Sequence, residues 1–230
     1  MIRRILALLV GLAVVVGLVG WWAWDRAQAA PTWYAPPDPA STDTIERAEK
    51  VEYRLAEEVQ KIRTPEAPWV VRIPEASINA WLAARLPEWI MHEQSLEWPE
   101  ALGVPQIHVD ANGVTVAVEV NHDGRQQVLV ARAVPRVVGD RLAVQVDRVG
   151  IGRVLLPAKG VETLIARVTE MLPDDVDVDA VIEVVERLLG DGESISSEIE
   201  LADGRRIEVT AVRCADGAIE FENRTLARAD

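Results

Sequence analysis

Cysteine occurs once in the 230 residues, at position 214. A single thiol excludes an intrachain disulfide and any site built from paired thiolates, so the fold rests on its core alone even in an oxidising compartment. Within a stretch that alternates like a strand, Cys214 reads as a small core residue. Histidine is nearly as scarce: His92, His108 and His122 stand in unrelated contexts, with no spacing that sets two on one helix face or on alternate strand positions. Neither a G-x-S-x-G nucleophile turn nor a Gly-rich phosphate loop is present, and the many carboxylates have no spacing that singles out an acid–base pair. These absences argue against an enzyme, a cofactor and a metal centre. Lysine appears only at 50, 61 and 159, and phenylalanine only at 221. Beyond residue 30 the chain carries 21 basic and 36 acidic side chains, a net of −15. Phosphate backbones and anionic headgroups repel a body this acidic, which argues against nucleic acid as a partner.

What the chain does have is a long apolar run, residues 5–23, preceded by Arg3-Arg4 and closed by Asp25-Arg26. About 20 such residues at about 1.5 Å rise are long enough to cross a bilayer core of about 30 Å. Trp21, Trp22 and Trp24 stand at the far end, where indoles favour the headgroup boundary. Residues 1–24 are therefore expected to form a transmembrane anchor. The arginines keep the N-terminus cytoplasmic and put the C-terminal body outside the cytoplasmic membrane. A cleaved signal peptide is the competing reading, because Ala27-Gln28-Ala29 has the small-x-small form of a cleavage site.

A Pro-rich linker covers residues 25–42, followed by an amphipathic helix over 43–64 with Ile45, Ala48, Val51, Leu55, Val59 and Ile62 on one side. That stripe either packs on its own domain or makes a stalk that pairs two copies through residues 43–63. Residues 65–230 read as one α+β domain. Trp69–Ile73 is a short strand, and Pro74 opens a helix to about Trp89 with Ile78, Trp81, Leu82 and Leu86 along one side. From Gln106 to Val149 the period becomes two, with turns at Asn112-Gly113, His122-Asp123-Gly124 and Gly139-Asp140. Val114, Val116, Val118 and Val120, continued by Val128, Val130 and Val134 and then Leu142, Val144 and Val146, are assigned to one inward face. Helices are expected over residues 157–171 and 179–189, and strands at Ile195–Leu201, Arg205–Arg213 and Ala218–Phe221. The fold class is α+β: an N-terminal transmembrane helix, then a curved antiparallel sheet wrapped around one or two apolar helices.

Asp175, Asp177, Asp179 and Glu186 fall at positions 1, 3, 5 and 12 of a calcium loop, but Ala180 stands where such a loop turns on glycine. Helix capping by Asp177 or Asp179 explains the same acids.

The stretches VRIPEASINAWLAARLPEW, VDANGVTVAVEV and VVGDRLAVQVDRVGIGRVLLP resemble the YpmS-like single-pass membrane proteins and, more distantly, the tubular lipid-binding (TULIP) domains. Asn79 with Leu82 and Leu86, Asn112–Val116, and Gly139–Val144 through Gly152–Pro157 carry the resemblance, over residues 69–172. It implies a membrane-tethered, non-catalytic module that cradles a lipid or other long apolar molecule between helix and sheet. On that reading Ile78, Trp81, Leu82, Leu86, Val116, Val118, Val128, Val130, Leu142 and Val144 line the groove. The alternative is an envelope scaffold or assembly protein with a dry core, acting through protein contacts.

Overall fold

The computed structural model describes residues 18, 21–22, 24–94, 96–122, 125–158 and 195–227. Residues 24–28 are helical (α1) and lead into an extended segment. There follow α2 (Thr42–Gln60), β1 (Pro68–Pro74), α3 (Glu75–Ala84) and α4 (Leu86–Gln94). The meander β2 (Gln106–Asp110), β3 (Gly113–His122), β4 (Arg125–Val138), β5 (Arg141–Ile151) and β6 (Val154–Pro157) comes next. The chain closes with β7 (Ile195–Ser196), β8 (Glu198–Glu200), β9 (Arg206–Ala215) and β10 (Ala218–Leu226).

Two expectations about the fold need correction. Among the described residues no helix is long and apolar enough to cross a membrane, so the expected transmembrane helix over 1–24 is not supported. The single curved sheet around a helix is replaced by two antiparallel sheets, a four-stranded one in the order β1-β10-β9-β8 and a six-stranded one that includes β2-β3-β4-β5-β6 in that order. The split arises because β10 pairs with β1 over Pro68–Pro74 instead of extending the meander. The segment 195–200 then joins the two: Leu142 pairs with Ile195 at the edge of β5, and Ile199 pairs with Ile207 on β9. Ser197 marks the crossing, its N–H donating to Asp140 O and its carbonyl accepting from Val209 N, both at 2.8 Å.

Local chemistry explains the boundaries. The helix expected to run from Pro74 to Trp89 breaks at Arg85, which has φ −121°. Pro87, two residues on, has no N–H to donate and fits only the first turn of a new helix. Asp216 (φ 50°) and Gly217 (φ 65°) both take the left-handed conformation that a tight two-residue hairpin requires. The expected strand 195–201 is interrupted at Ser197, where the chain changes sheets. The helices expected over 157–171 and 179–189, and the calcium-loop acids Asp175, Asp177, Asp179 and Glu186, lie outside the described residues apart from Pro157 and Ala158.

α2 packs against α3. Ala48 and Val51 of its stripe are buried, whereas Tyr53 on the opposite side is 75% exposed. The four-stranded sheet is clearly two-faced. Its outer face carries the cross-strand pairs Arg72–Glu220 and Arg224–Glu208, and the other face presents Val71, Phe221 and Val212 in register. β9 is the strand of this sheet that meets β2, β3 and β4 of the other.

Candidate functional site

Residues directly paired across antiparallel strands share a face, so the register of the six-stranded sheet decides which side chains stand together. Val116 pairs with Ala131 and Val118 with Leu129, while Ala117 pairs with Val130 and Glu119 with Val128. Val128 and Val130 therefore point away from Val116 and Val118, which corrects the single inward set expected from the alternation. One turn residue more or less between β3 and β4 is enough to exchange the faces. Both faces carry aliphatic residues, but the one with Val128 and Val130 also carries Thr115, Glu119, Arg132 and Arg148.

The face with Ala117, Val128 and Val130 is covered by Trp33, Tyr34 and Leu155. Trp33 and Tyr34 belong to the segment expected to be a bare linker, and four hydrogen bonds fix it there. Gln106, 7% exposed, accepts from Ala35 N through Oε1 at 2.7 Å and donates from Nε2 to Trp33 O at 3.1 Å. Its amide thus stands in for a strand partner. The Tyr34 hydroxyl donates to Val104 O at 2.9 Å and accepts from Glu119 N at 3.0 Å. Burial pushes its pKa up to about 12. Trp33 also stacks on His108, ring centroids 5.4 Å apart.

The opposite face is built of Val118, Val120, Leu129, Ala131, Ala133, Val146, Val149 and Ile151, joined by Trp98, Ala101, Leu102 and Ala158. Trp98 also belongs to the neighbouring cluster of Trp81, Leu82, Leu86, Ile90 and Leu96, so one indole bridges the sheet core and the helix core. Leu86 is 3% exposed, and Trp81 and Leu82, half-buried, pack against it on the helical side of the expected groove. The remaining expected helix position, Ile78, is half-buried.

Asn79 explains how the helix reaches the sheet. It is 6% exposed; its Nδ2 donates to Ile107 O at 2.9 Å and its Oδ1 accepts from Ile107 N at 2.7 Å. Glu75 adds a carboxylate oxygen that accepts from Val109 N at 2.8 Å. The outer edge of β2 is thus capped by side chains of α3 in place of another strand, which removes an open edge. Asn79 is structural, not a ligand contact.

The second face stays open at three positions around its packed centre. Val116 is 36% exposed, Val144 49% and Leu156 44%, although Val146 and Val149 on the same face are each 2% exposed. Val144 pairs with Pro135 and Leu142 with Val137, and Leu142, Pro135 and Val137 are all half-buried. The cross-strand rows Ile107–Val116–Ala131–Val149–Leu156 and Pro135–Val144 contain no charged or hydrogen-bonding side chain.

Asp147 is held well below the usual carboxylate range by the Arg132 guanidinium hydrogen-bonded to it. Cys214 is half-buried, and that burial raises its thiol pKa. Among the described residues no group of three His, Cys, Asp or Glu side chains could hold a metal ion. Asn223, whose sequon-like context reads as incidental, is 4% exposed and donates to Phe221 O. The chain matches no known protein family and no curated protein.

Of the expected lining, Val116, Leu142 and Val144 share the open face; Val118 is on it but packed; Val128 and Val130 are on the reverse side; Leu86 is buried in the helix cluster, and the half-buried Trp81 and Leu82 pack against it. Sequence reasoning missed Trp33, Tyr34 and Gln106. Two adjacent aromatics in an otherwise small, Pro-rich stretch were the available signal.

Proposed function

We propose that this chain is a non-catalytic binding protein that holds a long aliphatic molecule, the acyl chain of a lipid, along the open face of the six-stranded sheet. It works at the cell envelope, the location implied by the family resemblance. The observation that carries the reading is the exposure of Val116 (36%), Val144 (49%) and Leu156 (44%) on a face whose centre, Val146 and Val149, is 2% exposed. Three uncovered aliphatic side chains on one face with a packed centre support a contact site there. Its lining commits it to an apolar occupant, because a polar ligand would lose its water without gaining a partner. The site differs from the cradle between helix and sheet: the helix side is packed, and the open surface runs over β3–β6.

Each buried methylene contributes about 0.8 kcal/mol, so eight covered methylenes give about 6 kcal/mol before ordering costs. That corresponds to binding in the range of tens of micromolar or weaker. A protein partner laying an aliphatic side-chain row on the same face is the alternative, and the test separates the two.

The experiment is titration of the full chain with a fluorescent fatty acid, alongside Val144→Asp and Val116→Trp. Saturable binding that weakens at least tenfold in both variants, with unchanged thermal stability, supports the reading. No saturable binding, or binding indifferent to both substitutions, overturns it in favour of a protein-contact surface.

A further inference from the structure

The described residues around position 24 form a surface unlike the rest of the molecule. Trp21 is 71% exposed, Trp22 56%, Trp24 64% and Leu18 58%. Leu18, Trp21 and Trp22 are helical and fall at i, i+3 and i+4, on one side. Arg26 lies over the Trp22 ring, 4.9 Å from its centroid. Indole rings beside arginine, uncovered by protein, suit the boundary between lipid headgroups and acyl chains.

This surface is not loosely strung from the domain. Arg153 N donates to Arg26 O at 3.0 Å, and Arg153 Nε donates to Ala30 O at 2.9 Å. Between them Gly152 is buried at φ +56°, and a Cβ there would stand 2.3 Å from Ala27 O and 2.6 Å from Ala29 O. The turn between β5 and β6 is therefore a seat that only glycine allows, and residues 26–30 sit in it. Two backbone carbonyls hydrogen-bonded by one turn, with two more packed on its glycine, leave the segment little freedom to swing.

We infer that Leu18, Trp21, Trp22 and Trp24, with Arg26, dock on a lipid surface at headgroup depth, and that the Gly152–Arg153 seat holds the domain in one orientation, with the β5–β6 turn toward the lipid. The occupant is a lipid surface because both of its requirements are met. Leu18, Trp21, Trp22 and Trp24 stand bare, and Arg26 supplies positive charge beside them in a chain of net charge −13. Contact at this depth needs no helix long enough to cross the bilayer. The inference is independent of what the aliphatic face binds. It predicts a geometry: Val138, the last residue of β4, pairs with Arg141 at the far end of β5, whereas Pro157 pairs with Arg148, three residues back from the pair Ile151–Val154 that flanks the β5–β6 turn. Seven residues at about 3.3 Å place Val138 about 23 Å farther from the lipid along the strand.

The test uses the full chain in phosphatidylcholine vesicles containing phosphatidylglycerol, in a Cys214→Ser background. A fluorophore is attached at Pro157→Cys in one sample and Val138→Cys in another, and quenching by a headgroup-attached acceptor is compared. The expected result is several-fold stronger quenching at 157 than at 138. Gly152→Val should equalise the two positions while vesicle binding persists. Arg153→Ala, which removes only the Ala30 contact, should narrow the difference part-way and is the control if the valine variant folds poorly. Replacing Trp21, Trp22 and Trp24 by alanine should shift Trp emission and reduce vesicle binding. Equal quenching at both positions in the unaltered seat, a difference that survives both seat variants, or unreduced binding without the tryptophans would each overturn the inference.

Discussion

Asn79→Ala is the sharpest perturbation of the architecture. The wild-type amide satisfies both backbone groups of Ile107, at 2.9 and 2.7 Å, from a position 6% exposed to solvent. Alanine leaves a buried N–H and a buried C=O without partners on the edge of β2, where α3 itself keeps water out. Each unsatisfied group costs about 1–3 kcal/mol, so the loss should be about 2–5 kcal/mol. Part of this is recovered if a water enters the gap left by the amide, which argues for the lower half of the range. Asn79→Asp is more telling. It retains the acceptor for Ile107 N but sets a carboxylate oxygen against Ile107 O, so it should lose at least as much as alanine despite being isosteric. Urea unfolding followed by circular dichroism reads both, as a lower midpoint at unchanged slope. Asn112→Ala serves as the control, since its amide meets only Asp110 in an exposed turn, and should stay within about 0.5 kcal/mol. A loss below about 1 kcal/mol for Asn79→Ala, or an aspartate variant as stable as wild type, would refute the capping argument.

Other outcomes follow from the same geometry. Val130→Trp should overpack the surface beneath Trp33 and Tyr34 and cost about 1–3 kcal/mol, whereas Val116→Trp, on the open face, should leave the urea midpoint nearly unchanged. Gly150→Ala would bring a methyl to 1.8 Å from Val154 O; it should disrupt the β5–β6 hairpin, seen as lost hydrogen-exchange protection at residues 149–156. Tyr34 holds its proton to about pH 12, above the ordinary tyrosine range, so its contribution to stability should be intact below about pH 10 and vanish between 10 and 12. Tyr34→Phe should flatten that stretch of the stability profile. Asp147, depressed by Arg132, acts in the opposite sense: its stabilisation should be full above the usual carboxylate pKa and fade as pH falls below it, and Arg132→Ala should remove that acid limb.

The strands were legible because valine alternation and the Asn112-Gly113, Gly139-Asp140 and Asp216-Gly217 turns are local signals, and β2–β5 and β9–β10 follow them. The faces were not. Both sides of β3 and β4 carry aliphatic residues, so alternation alone does not say that Val116 stands with Ala131 and not with Val130; the pairing register does. The partition into two sheets depends on β1 meeting β10, residues about 150 apart in sequence, and nothing local encodes so distant a pairing. Asn79 was singled out by resemblance, yet its role emerged only from the position of Ile107. The docking of Trp33 and Tyr34 was hidden by prolines on both sides, which mark a segment as extended without saying what it lies on. The candidate site was legible as aliphatic lining, but its open part is narrower than the sequence suggested, at Val116, Leu142 and Val144.

Native mass spectrometry of the full chain, released from gentle detergent after recombinant expression and followed by organic extraction, shows whether the open face holds a lipid. A reproducible added mass that extracts as an acyl lipid is expected, and its disappearance in Val144→Asp. An apo mass with no uptake when lipid is offered, or an adduct untouched by the substitution, would contradict that expectation.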